Sequence, residues 1–261
     1  MSRSNNTDVK NPAVKTFKWS EKCFIHYEKG ENEEKGKNIE NILPFKFLVL
    51  DELICIRGFN DNEKSGYWSN EIRDTREEEL NVKIKGQNGK IKTCATGLYK
   101  NIITDRDCIG AKFCQSVYIA YFEGTELTIG KIELTGAALG AWFEFKKANN
   151  IYKGAVSVKE FKTDKKGKVE FTMPIFVLTE VSEATDQKAI GLDAELQEYF
   201  KAYFHNGLNV NKEIRQTEPE EQPLPEGNQV IYNDKPNSRE QFVFDNEEIP
   251  ENYLGGGSAP F

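Results

Sequence analysis

The sequence predicts a mainly β protein with accessory helices. Three observations carry this. Runs rich in β-branched and aromatic residues alternate with Gly- and Asn-containing breaks as far as Leu178. Leu80, Val82 and Ile84 alternate with Asn81, Lys83 and Lys85, the period-two pattern of a half-buried strand. One of two helical patterns directly precedes the last pair of strand-like runs.

Taken in order, residues 1–13 are polar and expected to be disordered. Phe17, Trp19, Phe24, Ile25 and Tyr27 form a short apolar strand or turn region that must pack on something larger. Residues 30–41 read as a charged linker. Pro44 marks the start of a long strand over 45–59, broken at Gly58. The polar loop behind it carries Tyr67 and Trp68 directly after Gly66. Two large aromatics in a polar loop either offer a stacking surface to flat ligands or fold back, with Trp68 plugging the end of a barrel.

Residues 72–79 are heavily charged and expected to be solvated. Asn88-Gly89 is a hairpin signal joining strands over 80–85 and 90–98. Lys83 and Lys85 then share one face with bases across the turn, or form an ordinary solvated face. Residues 104–110 read as a loop. Strands are predicted over 113–123 and 127–134, with a turn at Gly124. Thr135 is placed to cap a helix over 136–147 whose apolar side is Ala138, Leu139, Trp142 and Phe145. Residues 154–161 and 168–178 form a closing hairpin around Lys165-Lys166-Gly167. Ala189, Leu192, Leu196, Tyr199, Phe200 and Tyr203 fall on one face of a helix over 182–204 that Asn206-Gly207 ends. That stripe suits core packing or a dimer contact.

An OB-fold is a five-stranded barrel. Its helix falls between the third and fourth strands, and the helix at 136–147 before the last hairpin fits that order. The earlier strands make it an extended, OB-fold-like barrel; a β-sandwich with peripheral helices is the competing arrangement. Three regions follow: 1–41, a polar segment with a short packed strand region; 42–206, the β-rich core with its C-terminal helix; and 207–261, an acidic, largely disordered tail.

Charge is distributed unevenly. The net charge is −7, and residues 206–261 carry 11 acids and 4 bases, leaving 31 of each in residues 1–205. Within that neutral part, residues 81–112 hold 7 bases against 2 acids, and residues 131–168 hold 9 against 4. No run approaches the roughly 18 apolar residues of a membrane span, and the N-terminus lacks a signal-peptide core. A cytoplasmic location, without membrane contact, is expected. The five cysteines suit free thiols in a reducing compartment. Cys23 and His26 lack a second ligand pair, so no metal and no cofactor is expected.

No catalytic constellation emerges. Histidine occurs only at 26 and 205, neither in a glycine elbow, and no phosphate-binding glycine loop is present. Asp105 and Asp107 read as solvated loop charges. A binding protein rather than an enzyme is expected. Single-stranded nucleic acid needs positive charge to track phosphates and aromatic faces to stack bases. Bases and aromatics are interleaved here: Arg57 near Phe59, Lys64 near Tyr67 and Trp68, Lys83 and Lys85 on one strand, Tyr99 beside Lys100, and Lys112 before Tyr118. These are the candidate nucleic-acid-binding residues.

A neutral-to-basic β core, an acidic tail and a terminal Pro260-Phe261 resemble single-stranded DNA-binding proteins, whose bacterial versions end in acids followed by proline and phenylalanine. Leu43-Pro-Phe-Lys-Phe-Leu-Val-Leu-Asp51, Ser65-Gly-Tyr-Trp-Ser-Asn-Glu-Ile72 and Leu196-Gln-Glu-Tyr199 are similar to such proteins of crAss-like tailed phages, over roughly residues 17–205. Here Gly255-Gly-Gly-Ser-Ala259 separates the acids from the tip. The resemblance implies protection of single-stranded DNA in phage replication and recombination. It also implies docking of replication proteins on Pro260 and Phe261, and is compatible with a homo-oligomer. The alternative is a non-enzymatic structural or virion-associated phage protein.

Overall fold

The N-terminal aromatics pair into a hairpin of β1 (Lys15–Ser20) and β2 (Cys23–Glu28). This computed structural model describes residues 10–28 and 36–216. Of the expected tail, residues 207–216 are helical rather than disordered, and residues 217–261, with Pro260 and Phe261, lie outside the described residues, as do residues 1–9. The expected charged linker instead contains a strand, β3 (Lys37–Asn41), antiparallel to β2. Phe17 and Phe24 are fully buried and meet Phe45 at ring separations of 5.0 and 5.1 Å. The N-terminal strands are therefore part of the same sheet and core, not a segment set apart at residue 41.

The long strand is β4 (Phe45–Asn60), and Gly58 lies inside it rather than ending it. The glycine serves a different purpose: a Cβ there would sit 2.1 Å from the Gly110 carbonyl oxygen, so only glycine allows that backbone approach. The supposed aromatic loop is a strand, β5 (Ser65–Ser69), returning antiparallel to β4. Beyond it, Ile72 bridges to Ile54 and is buried along with Glu71 and Thr75, so this stretch is only partly solvated.

β6 (Leu80–Lys85) and β7 (Ile91–Gly97) form the hairpin that Asn88-Gly89 predicts, with a register shift after Val82. Thr93 and Ile91, not bases, lie opposite Lys83 and Lys85. A one-turn helix α1 (Tyr99–Ile102) and a 3₁₀ turn (Arg106–Cys108) lead into β8 (Ala111–Glu123) and β9 (Glu126–Leu134). Helix α2 (Gly136–Ala148) follows; Thr135 occupies its N-cap position but its side chain makes no capping bond. α2 buries Ala138, Leu139, Trp142 and Phe143, and Trp142 Nε1 donates to Glu52 at 2.8 Å. β10 (Ala155–Lys166) and β11 (Val169–Thr179) make the last hairpin. Helix α3 (Glu183–Gln216) runs past Asn206-Gly207, which does not end it.

The described strands form one mixed sheet of eleven, ordered β3-β2-β1-β9-β8-β4-β5-β6-β7, with β10 added to β4 and β11 to β10. β4, β8, β9, α2, β10 and β11 follow the OB-fold order of three strands, helix, two strands. Closure is where it departs. β11 pairs only with β10, while β1 takes the edge of β9 in parallel. The gap is spanned by side chains: Trp19 Nε1 donates to Thr172 Oγ1 at 3.1 Å, and Thr172 reaches the Glu21 carbonyl.

Strand alternation separates two faces. Ile54, Ile56, Phe113, Val117, Ile119 and Ile132 point into the main core with α2. Leu53, Cys55, Arg57, Lys112, Cys114, Ser116, Tyr118, Lys131 and Glu133 occupy the outer face. α3 covers part of that face through Leu196, Tyr199 and Phe200 against Leu53, Tyr118 and Ile129.

Candidate nucleic-acid interface

Cross-strand register brings four of the sequence-selected residues into one row. Arg57 pairs with Lys112 on β8 and with Trp68 on β5, and Trp68 pairs with Lys83 on β6. Directly opposed residues of antiparallel strands share a face. The row Lys112–Arg57–Trp68–Lys83 therefore presents three bases and an indole across four strands. At about 4.8 Å per strand spacing it spans about 14 Å. One row nearer the end of the sheet, Phe59 lies opposite Gly66, and Lys85 opposite Ile91. Phe59 is 52% exposed.

A groove of about 1030 Å³ opens beside the Arg57 end of the row. Its walls are the end of β1 with Lys18 and Trp19, the turn after it with Lys22, the ends of β4 and β8 with Arg57, Phe59 and Lys112, the start of α2, and Glu170 to Thr172 of β11. Sequence reasoning passed over Lys18, Trp19 and Lys22. The signal is a base–aromatic–base cluster like the selected ones, in which Trp19 alone reads as part of a packed strand region. Four acids, Glu21, Asp61, Glu133 and Glu170, line the same groove. Its charge is thus balanced, and the positive excess belongs to the row and to the β6–β7 hairpin. Residues 80–97 contain Lys83, Lys85, Lys90 and Lys92 and no acid.

Arg57 is fixed rather than free. Its Nη1 donates to the Ile56 carbonyl at 2.9 Å and its Nη2 to Glu133 Oε1 at 2.7 Å. Glu133 is buried and also meets Lys18 at 3.3 Å and Lys131 at 3.5 Å. Burial alone would push its carboxyl up; the Arg57 bond and the charges of Arg57, Lys131 and Lys18 outweigh this and hold it at about 2. Glu133 is therefore ionised at neutral pH. Two of the five guanidinium donors are engaged this way, which orients the remainder.

Three candidates do not belong to the surface. Tyr67 is buried on the inner face, where its hydroxyl receives a bond from Asn60 at 2.5 Å and donates to the Asp107 carbonyl at 3.1 Å. Tyr99 is buried edge-on against Phe113 at 5.3 Å, and burial raises its phenol to about 12. Tyr118 is fully buried beneath α3 and donates to Glu71 at 2.6 Å. None can offer a face to a base in this conformation. Alternation explains Tyr67: it neighbours Trp68 and so points the opposite way. Lys64 sits in the β4–β5 turn, 3.9 Å from Asp61, and Lys100 stands on α1; neither joins the row.

Comparison with known proteins adds no assignment: no protein-family model, curated protein or solved structure matches the chain. Among the described residues, no helix is long and apolar enough to cross a membrane, and no cluster of three or more metal-ligating side chains occurs.

Proposed function

We propose that the protein binds single-stranded DNA non-enzymatically along the outer row Lys112–Arg57–Trp68–Lys83, with Phe59, Lys85 and the adjoining groove extending the path. The carrying observation is the register that sets two cations, an indole and a third cation side by side on one sheet face, with Lys112 exposed and Arg57, Trp68 and Lys83 half-buried. Single-strand binders combine these two elements, phosphate-tracking charge and stacking surfaces. In this reading the strand crosses the β-strands at right angles, with phosphates near Lys112, Arg57, Lys83 and Lys85 and bases on Trp68 and Phe59.

The charge distribution and the resemblance to phage single-stranded DNA-binding proteins support a role in protecting phage DNA during replication and recombination in the host cytoplasm. The acidic residues beyond 206, closed by Pro260 and Phe261, then dock replication partners. A fluorescence titration of the full chain with oligo(dT), repeated across salt concentrations, tests the reading. Quenched tryptophan emission and affinity that falls with salt support it. No binding at low salt rejects it and favours the virion-associated alternative.

A further inference from the structure

The outer face does not end at Arg57. Along β8 and β9 it continues through Cys114 and Ser116 to Tyr118, Lys131 and Glu133, and there α3 lies over it. This covered part is chemically unlike a site made only for helix packing. Lys131, Glu133 and Glu71 are all buried in it. Lys131 Nζ meets Glu71 at 3.0 Å and stands 5.9 Å from the centre of the Tyr118 ring. A cation beside an aromatic face repeats the chemistry of the exposed row. Phe200 of α3 covers that tyrosine, edge-on at 5.0 Å.

Resting on the single-strand reading above, we propose that the nucleic-acid surface continues beneath α3 as a second segment built on Tyr118 and Lys131. A single strand reaches this segment when the part of α3 carrying Phe200 lifts away. Phe200 holds the place that a base takes on Tyr118, and Glu71 holds the place of a phosphate at Lys131.

The architecture permits this movement without loss of the main core. Leu196, Tyr199 and Phe200 belong to a small cluster separate from the core between the sheet and α2. The start of α3 is anchored elsewhere, by Ala189 against Leu48, Ala120 and Ala155. Beyond that cluster, which Tyr203 and Phe204 join, the distal part is held by two hydrogen bonds and one cation: the Tyr203 hydroxyl accepts from the Glu71 amide at 2.7 Å, Gln197 donates to Asp51 at 3.1 Å, and the Arg73 guanidinium stands 5.3 Å from the Phe200 ring and 5.4 Å from the Phe204 ring. A helix held at one end and resting on a small cluster opens locally more readily than the core strands do.

The test is hydrogen exchange of α3 amides in the full-length protein, free and saturated with short or long oligo(dT). Long oligo(dT) is expected to speed exchange over residues 196–204 by about tenfold, while short oligo(dT) that fills only the exposed row leaves it unchanged. Phe200→Ala, and the milder Tyr203→Phe, are expected to tighten long oligo(dT) binding several-fold. Tyr118→Ala added to either is expected to cancel the gain. If the protein binds oligo(dT) while α3 stays protected and the loosened variants gain nothing, the covered segment is overturned and the exposed-row reading stands. If no oligo(dT) binds to any form, both are overturned.

Discussion

Trp68 stands directly opposite Arg57 across the β4–β5 ladder, one residue from the buried Tyr67. Neighbours in sequence thus have opposite environments. Stacking on Trp68 contributes roughly 1–3 kcal/mol per base in comparable sites. Trp68→Ala should therefore weaken oligo(dT) binding by roughly ten- to a hundredfold, with near-parental circular dichroism. Unchanged affinity in the folded variant would remove Trp68 from the site. Tyr67→Phe should behave in the opposite way. It deletes a hydroxyl bonded to Asn60 and the Asp107 carbonyl, so stability should fall by about 1 kcal/mol in a denaturant titration while affinity holds.

Salt dependence separates row lysines from bystanders. Each phosphate neutralised on a single strand contributes a slope of about −0.7 in log affinity against log salt. Replacing Lys83 and Lys85 together by alanine should reduce the slope by about 1.4 if each lysine holds one phosphate. Lys100→Ala, on α1 and outside the row, should leave the slope as it is. Equal slopes for the parent and the double variant would place the phosphates elsewhere.

How much of this was legible in the sequence follows from which forces act locally. Leu80 to Lys85, Asn88-Gly89 and the helix at 136–148 are written in local periodicity and turn chemistry, and they appear where expected. The Lys37–Asn41 strand was hidden because four of its five residues are polar, with Ile39 the exception, and it is a strand only through its ladder with β2. Gly58 suggested a break because the chain alone does not reveal that Gly110 approaches it. In the site, Arg57, Trp68, Lys83 and Lys112 were identifiable as types, but their alignment is a matter of register between distant strands. Tyr118 looked like a stacking residue because nothing near it in sequence announces that Phe200 will lie on it.

The Arg57–Glu133 pair predicts a pH response. Folded Glu133 titrates at about 2 against a reference value of 4.5. Because the folded value is depressed, the stabilisation is complete above about pH 4.5 and is lost as pH falls toward 2. A shift of this size corresponds to about 3 kcal/mol. Glu133→Gln leaves Arg57 and Lys131 without their shared carboxylate, so it should cost about 3–5 kcal/mol at neutral pH. It should also flatten the stability curve between pH 4.5 and 2. Parallel stability–pH curves for parent and variant in that window would show that Glu133 does not carry the acid response.

The charge distribution makes the last prediction. Residues 217–261 hold 10 acids and 2 bases and are joined to the end of α3, which lies on the same outer face as the row. A tethered polyanion acts at an effective concentration set by its linker, so it competes with DNA for the same lysines. Deleting 217–261 should tighten oligo(dT) binding, most strongly at low salt, where exposed charges are least screened. Raising salt should shrink the difference between truncated and full-length chains, because the same ions screen both competitors. Removing Phe261 alone leaves the polyanion intact, so DNA affinity should hold while capture of a replication partner is lost. Weaker DNA binding by the truncated chain would mean that the acidic segment contributes to the binding surface instead of competing for it.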